Sequence, residues 1–193
     1  LGITSADTLM TDMLWSLPSL TLPDTVRDLS DLAYMTGLRS LTIQNVSGLD
    51  FSVLSQLTEL TELDLSGCTI STGSLNAIAS LTNLTRLRLN QCALTDISAF
   101  SPLTRLTELQ LSDNSITEVG VLSLMLDLET VTLSNNPVTS IAGLSACGKL
   151  KSVDISGCSV TTIAALADKT QLESLLAGNN KISDLSPLAG CSA

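Results

Sequence analysis

Five cysteines and no histidine define the chemistry that this chain of 193 residues can carry. A cysteine thiolate can act as a nucleophile, bind a metal ion or join a disulfide, but each role needs a partner group nearby. Without histidine there is no Ser–His or Cys–His couple and no imidazole ligand. The sequence also offers a metal ion no further set of ligands. We therefore expect no catalytic residue, no metal site and no cofactor.

Charged and polar residues between positions 62 and 110 are the second group that could do chemistry. Glu62 and Asp64 could imitate an acid/base pair, but Arg86 and Arg88 would hold both carboxylates ionised, and no substrate cleft is indicated. One interpretation is a self-neutralising ladder of opposite charges, with Arg86 between Glu62 and Glu108 and with Arg88 paired to Asp64. The other is a polar contact patch for a partner. The candidate binding residues are Glu62, Asp64, Arg86, Arg88, Asn90, Glu108 and Gln110.

Net charge and charge spacing exclude two classes of partner. The formal charge is -10 with only nine basic residues, and an acidic surface repels phosphate backbones, so we expect no nucleic-acid binding. The longest charge-free runs, 65–85 and 130–148, have the length of a membrane span. Both are filled with Ser, Thr, Asn and Gly, so we expect no membrane insertion.

An internal repeat determines the architecture. Leucine anchors recur every 22 residues, with one interval of 24, and a weaker unit starts at Leu17. The anchors are Leu38, Leu60, Leu84, Leu106, Leu128, Leu150 and Leu172. Counted from the anchor as position one, each unit reads L-x-x-L-x-L-x-x-(N/C)-x-I, followed by apolar residues three apart. We predict an N-terminal helical cap over 1–16 and a repeat domain over 17–193 with units starting at these leucines.

The apolar pattern predicts how the units stack. Alternation at L-x-L indicates one short strand in each unit. Because a single unit cannot bury its apolar side, the units share one continuous core. We expect an α/β repeat solenoid, curved into a right-handed superhelix, with a parallel sheet on the concave face and 3-10 or irregular turns on the convex face. Residues at positions three, five and seven point outward and form what we call the outer sheet face.

The ninth position of the units holds Asn or Cys, which predicts an inward ladder of side chains that hydrogen-bond the backbone of the turns. Its members are Cys68, Cys92, Asn114, Asn136, Cys158 and Asn180. Cys147 and Cys191 occupy an apolar position instead. We expect all five cysteines to be free and inward-facing. Only Cys68 and Cys92 share this position in adjacent units, where a strand spacing of about 4.8 Å would permit a disulfide.

Three local features complete the expected fold. The two extra residues in the unit from Leu60, around 71–76, predict a fuller helical turn through Ile78 and Leu81. Ser186 followed by proline predicts a serine N-cap for the last turn. In the cap, Trp15 is expected to plug the first repeat.

The last repeat has apolar residues that no later helix or polar unit covers. Its core residues are Leu172, Leu175, Ile182, Leu185 and Leu188, and Leu176 points outward. An apolar end with an unpaired strand edge favours association. We therefore expect self-association through residues around 174–189.

These repeats resemble the leucine-rich repeat family, and the 22-residue units with phrases such as Thr95-Asp96-Ile97-Ser98 resemble those of bacterial internalin-type surface proteins. The resemblance implies a non-enzymatic recognition module in a larger surface or secreted protein, with aromatic anchors on the concave face. Here the aromatic residues fall elsewhere, with Trp15 in the cap, Phe51 and Phe100 in the core and Tyr34 on the convex side. We therefore expect polar binding of a protein or a glycan.

Two other functions fit the same repeats. One is an intracellular regulatory scaffold, since repeats of this length also occur in cytosolic proteins, and the other is an architectural spacer between flanking domains. The first residues carry neither an initiating Met nor a basic leader, so we expect a fragment of a longer protein. The expected location is extracellular or at the cell surface, with the cytoplasm as the alternative.

Overall fold

The computed structural model describes residues 17–191, which form a single parallel sheet with one strand from each repeat. The strands pair in chain order, and equivalent repeat positions face each other, as Leu63 faces Leu87. The strands are β1 (Ser19–Leu22), β2 (Ser40–Ile43), β3 (Glu62–Asp64), β4 (Arg86–Arg88), β5 (Glu108–Gln110), β6 (Thr130–Thr132), β7 (Ser152–Asp154) and β8 (Ser174–Leu176). The expected repeat solenoid is confirmed, and its repeated register places each outward side chain beside its equivalent in the next repeat.

Short 3-10 helices form the side opposite the sheet. They span Ser30–Tyr34, Ser52–Gln56, Ser98–Phe100, Gly120–Leu124, Ala142–Ala146, Ala164–Leu166 and Ser186–Gly190. The repeat with two extra residues forms helix α1 (Thr72–Ala79) instead, as its length predicted, but the helix ends before Leu81. The N-cap of α1 is Ser71, whose Oγ accepts a hydrogen bond from Ser74 N at 3.2 Å. Within residues 17–191, no helix has the length and apolar character needed to cross a bilayer.

The core lies between the sheet and these helices and runs without a break through the stack. The inward residues of the strands are leucine, valine and isoleucine, and they are fully or almost fully buried from β2 to β7. Phe51 and Phe100 are completely buried in the core, whereas Tyr34 is exposed on the helical side, as predicted. Each buried leucine-sized side chain stabilises the fold by roughly 1.5–3 kcal/mol relative to an exposed one.

Every repeat from β2 to β8 turns through left-handed backbone at position eight. The residues are Asn45, Gly67, Gln91, Asp113, Asn135, Gly157 and Asn179, with φ between 56° and 75°. Asn, Asp and Gly tolerate this conformation better than other residues. A Cβ on Gly157 would lie 2.4 Å from Asn135 Oδ1, so this glycine also leaves space for its neighbour's side chain. The leucine pattern gave no sign of this turn.

The turn before several 3-10 helices differs from the serine cap that we predicted. Ser186 does not cap the last helix, because it is the first residue of that helix. Instead the Asp184 carboxylate accepts hydrogen bonds from Ser186 N at 2.8 Å and from Ser186 Oγ at 2.9 Å. These hydrogen bonds hold the pKa of Asp184 below its ordinary value. In this turn an aspartate carboxylate accepts hydrogen bonds from the backbone N–H and the hydroxyl group of the serine two residues later. The same turn recurs at Asp28, Asp50 and Asp96.

A helical cap was expected at the first end of the stack and an exposed apolar repeat at the other. The predicted helical cap and Trp15 lie outside the described residues. In the last repeat, Leu176 and Leu185 are 56% and 64% exposed, and Leu175 is only partly buried. The predicted apolar end is therefore present, and self-association through it stays a prediction.

Candidate recognition surface

The outer sheet face takes one or two polar side chains from each strand and has no aromatic residue on β2 to β8. Because side chains alternate along a strand, the residues that flank each buried Leu or Val all point to this face. Most of them are partly exposed, so they are ordered by neighbouring strands while still accessible to a partner. The face has a charged half on β3 to β5 and a hydroxyl-rich half on β6 and β7.

Two ion pairs organise the charged half. Arg86 pairs with Glu62 across β3 and β4 through one of its terminal nitrogens. Arg88 is held more firmly, because its Nε and Nη2 both donate to Glu108 Oε1, at 3.1 and 2.8 Å. The Arg86 side chain remains 43% exposed, and Glu62 occupies only one of its five N–H groups.

The ion pairs differ from those of the expected ladder. Asp64 was expected to pair with Arg88, but it accepts hydrogen bonds from Gln44 Nε2 at 2.7 Å and from Ser66 N at 2.9 Å. Asp64 has a short side chain and both donors lie close to it, so Arg88 turns to the longer Glu108 on the other side. Glu108 is in turn committed to Arg88 and does not complete a Glu62–Arg86–Glu108 row.

Asn90 and Gln110 extend the same network. Asn90 donates to Gln110 Oε1 at 3.2 Å and accepts from Ser112 N at 2.8 Å. Gln110 Nε2 donates to Glu108 Oε1 at 2.6 Å. All seven candidate residues therefore lie on one face of three adjacent strands and their neighbouring turn, as the spacing predicted. Within this network, Arg86 is the cationic group that has the most unused donors.

The hydroxyl-rich half has small side chains that hydrogen-bond one another. Ser112 donates to Thr132 Oγ1 at 3.2 Å, and Ser134 donates to Ser112 Oγ at 2.8 Å. Thr130 and Ser152 are the first outward residues of β6 and β7. Asp154 is the one charged residue at the outward positions of these two strands. These short side chains form a polar surface next to Glu108 and Gln110, one strand away from Arg86 and Arg88.

Beneath the outer sheet face, the side chains at position nine point inward and hydrogen-bond backbone carbonyls. Asn114, Asn136, Cys68, Cys92 and Cys158 are buried, and Asn180 is partly buried. The amide Nδ2 of Asn136 donates to Leu111 O at 2.8 Å, and the Sγ of Cys158 donates to Leu133 O at 3.3 Å. Each member thus bonds a carbonyl of the repeat before it.

The cysteines are free, including the one pair that was placed to bond. Sγ of Cys68 donates to Ile43 O and Sγ of Cys92 donates to Leu65 O, so the thiols point along the ladder. Burial raises the pKa of the Cys92 thiol to about 11, and it also raises the pKa of Cys147. Protonated, buried thiols are poor nucleophiles and poor metal ligands. Among residues 17–191, no three Cys, Asp or Glu residues cluster in a way that could hold a metal ion.

Two features were missed at positions where the repeat pattern is broken. Lys169 takes an apolar core position and is only 6% exposed, with its Nζ donating to Ser145 O at 2.6 Å. Leu124 and Leu126 are exposed on the helical side, where the equivalent residues of other repeats are mostly small or polar. A charge at a core position and a leucine at a surface position are the sequence signals that would have identified them.

Comparison with known proteins places the repeats in a family. A profile described as "Leucine rich repeat" matches residues 58–116, and one described as "Leucine Rich repeats (2 copies)" matches residues 104–146 and 148–190. Comparison with curated protein sequences gave no match. The fold is commonly a protein-binding module, and no catalytic family is indicated.

Solved structures agree with the profiles. Internalin C2 from Listeria monocytogenes is 28% identical with a TM-score of 0.89, and the alignment covers 95% of this chain and 82% of that one. An internalin, InlF, from the same species is 22% identical with a TM-score of 0.70, covering 98% of this chain and 68% of that one. A leucine-rich repeat protein of Leptospira interrogans is 19% identical with a TM-score of 0.64, covering 88% and 51%. The last two show the shared fold alone. The matched repeats and the eight-stranded stack show that this chain belongs to the leucine-rich repeat family.

Proposed function

We propose that this chain is a non-enzymatic recognition module that binds a protein partner on its outer sheet face. The observation that carries the proposal is the environment of Arg86, which is partly exposed, fixed by Glu62 on one side and flanked on the other by Glu108, whose carboxylate is already bonded to Arg88. A guanidinium fixed at one nitrogen keeps its other donors for a carboxylate or backbone carbonyl of a partner. Arginine is also one of the residue types that most often dominate binding energy at interfaces.

The two halves of the face have different roles in this proposal. In the charged half, Arg88 and Glu108 hold each other and position Gln110, so this half is rigid before binding. In the hydroxyl-rich half, Thr132 and Ser134 are short, and a partner can approach the sheet closely there. A partner with an acidic group above Arg86 and a polar, protruding segment above β6 satisfies both halves.

A surface or secreted location belongs to the same proposal. Its support is the similarity to internalin C2 along 95% of this chain. We propose that the chain presents its outer sheet face as part of a larger bacterial surface or secreted protein. A protein that acts only as a spacer needs no accessible arginine in an ordered polar network, and the presence of this arginine therefore favours a recognition module.

The test compares binding before and after loss of the Arg86 charge. Proteins from the surfaces that the source cell contacts are passed over the immobilised chain, and each retained protein is measured against variants by biolayer interferometry. Arg86→Gln should weaken binding about tenfold or more, because a hydrogen bond to a charged group contributes about 1.5–3 kcal/mol. Arg105→Gln is the matched control, since Arg105 is an exposed arginine that donates to Asn83 outside the sheet face.

Two results would contradict the proposal. Equal affinity for wild type and Arg86→Gln, together with equal affinity for the obstructing variant Thr132→Arg, would place binding away from the outer sheet face. Retention of a glycan instead of a protein, with the same loss in Arg86→Gln, would keep the site and change the class of partner.

A further inference from the structure

The helical side has no charged residue over five successive repeats. The segments 51–58, 75–82, 97–104, 119–126 and 141–148 contain no Asp, Glu, Lys or Arg, although the chain as a whole has 28 such residues, 9 basic and 19 acidic. We call the surface of the last three of these segments the charge-free strip. In the next repeat, the equivalent segment 163–170 contains Asp168 and Lys169, so the strip ends there.

Two large apolar side chains project from the charge-free strip. Leu124 is 48% exposed and Leu126 is 59% exposed, on either side of the fully buried Met125. At the position of Leu124 the neighbouring repeats have exposed Pro102 and Ala146. Exposed leucines that sit within a patch lacking charge differ from scattered ones, because a contiguous apolar patch marks an interaction site.

The other half of the strip has only small side chains and does not project. Gly120 and Ala142 occupy equivalent exposed positions in adjacent repeats, and Gly143 lies buried between them. A Cβ on Gly143 would lie 2.3 Å from Val119 O, so the 3-10 helix Ala142–Ala146 packs directly on the start of the 3-10 helix Gly120–Leu124 of the preceding repeat. The strip thus has a projecting half with leucines and a low half with glycine and alanine.

The two margins of the strip differ in charge. On the side where the 3-10 helices begin, Asp96 and Glu118 are exposed, and neither forms an ion pair within the described part of the chain. On the opposite side, Arg105 donates only to the neutral Asn83, and Lys149 is neutralised by Asp127 at 2.6 Å. One margin is therefore acidic, and the other has an excess of positive charge.

We propose that a second copy of this chain covers the charge-free strip, so that the strip is the interface of a twofold dimer. A twofold interface places a surface on itself and therefore needs self-complementarity. An axis parallel to the direction in which the repeats stack exchanges the two sides of the strip. The projecting leucines of one copy then meet Gly120 and Ala142 of the other, and the acidic margin of one copy meets the margin of the other that contains Arg105.

Long-range repulsion does not prevent this arrangement. Each copy has a net charge of -10, but at physiological ionic strength charges more than about 8 Å apart are largely screened. Contacts at the margins act at shorter range. A different occupant, such as a basic amphipathic segment of another protein, would match the acidic margin but not the basic excess at Arg105.

Sedimentation equilibrium on the 193-residue chain over a concentration series tests the proposal. The variant Leu124→Ser with Leu126→Ser should raise the dimer dissociation constant at least tenfold. The control is Tyr34→Ser, which removes another large apolar side chain exposed on the helical side, outside the strip, and should leave the dimer unchanged. Leu176→Ser with Leu185→Ser distinguishes this dimer from association through the last repeat, because only the latter should depend on those two leucines. Circular dichroism melts verify that each variant is folded, which we expect because all the replaced side chains are substantially exposed.

A charge-reversal cycle tests the orientation. Arg105→Glu should weaken the dimer several-fold because it places an acidic residue against the acidic margin. Glu118→Lys should weaken the dimer of the wild-type chain, and it should strengthen the dimer of the Arg105→Glu chain. A monomer at all concentrations, or a dimer lost only with the Leu176 and Leu185 variant, would overturn the proposal. A dimer that depends on Leu124 and Leu126 but shows the same effect of Glu118→Lys in both backgrounds would overturn the twofold arrangement.

Discussion

Asn136 and Cys158 occupy the same position in adjacent repeats, and both side chains donate to a carbonyl of the repeat before them. Asn136 also donates to Leu133 O and accepts from Ile116 N, whereas Cys158 makes one short hydrogen bond, to Leu133 O. The same site in the fold is therefore filled by an extensively bonded amide in one repeat and by a small, weakly polar thiol in the next.

This difference predicts unequal costs of truncation. Asn136→Ala should destabilise the fold by about 2–4 kcal/mol, because it leaves several buried backbone groups without partners, each at a cost of about 1–3 kcal/mol. Cys158→Ala should cost about 1 kcal/mol, since it removes one weak hydrogen bond and little volume. Urea unfolding with a common slope measures both, and equal losses would contradict the ladder as described.

Thiol chemistry provides a second prediction. Native protein should react slowly with a thiol reagent, and denatured protein should show five reactive thiols. Because burial raises the pKa of Cys92 to about 11, its labelling should accelerate about tenfold per pH unit up to that value. Two or more disulfides in the isolated protein would disprove the inward arrangement of the cysteines.

The raised pKa of Cys92 also determines the direction in which folding stability changes with pH. Between the ordinary thiol pKa of 9.0 and about 11, the folded state binds more protons at Cys92 than the unfolded state does. The contribution of Cys92 is therefore fully present below pH 9 and is lost as the pH rises towards 11. Cys92→Ala should flatten this part of the stability curve, and an unchanged slope would contradict the assignment.

A glycine comparison tests the close packing of the repeats on the helical side. Gly143→Ala should destabilise the fold by about 1–3 kcal/mol, because the added methyl group would contact the backbone carbonyl of Val119. Gly148→Ala meets no atom within 4 Å and should stay within about 0.5 kcal/mol of wild type. Thermal melts of the two variants suffice, and equal melting temperatures would show that the repeats are not in contact there.

The arginines of the outer sheet face should separate stability from binding. Both ion pairs are partly exposed, so each should contribute about 0.2–1 kcal/mol. Arg88→Ala should cost more than Arg86→Ala, because Arg88 makes two hydrogen bonds to Glu108.

Reversal of both arginines to Glu should destabilise the fold modestly. If partner binding then survives, the cluster is the self-neutralising ladder. A large loss of affinity at an unchanged melting temperature supports the contact patch.

The parts of this fold that sequence could predict are those that repeat. Leucine spacing located the strands and the buried ladder, because each depends on a side chain that recurs at one position. The longer helix was located by the one interval that has two extra residues. The left-handed turn at Gln91 was not predicted, because Asn, Asp, Gly and Gln all occupy this position and no single residue type marks it in the repeat pattern. In the candidate site, alternation predicted which residues share the outer sheet face. The choice of Glu108 over Asp64 as the partner of Arg88 depended on side-chain length and on the competing donor Gln44, which strand spacing does not describe.

The ladder has a direction. From Cys68 to Asn180, each position-nine side chain bonds the carbonyl at position six of the preceding repeat, as Cys68 does with Ile43 and Asn180 with Ile155. Strand pairing and the ladder together mean that a repeat has all its backbone partners only when the repeat after it is in place. A ribosome delivers the chain in that same order, so each newly emerging repeat would close the hydrogen bonds of the one already folded. Assembly of the stack would then proceed by addition at one growing end, with the most recently added repeat always the least protected.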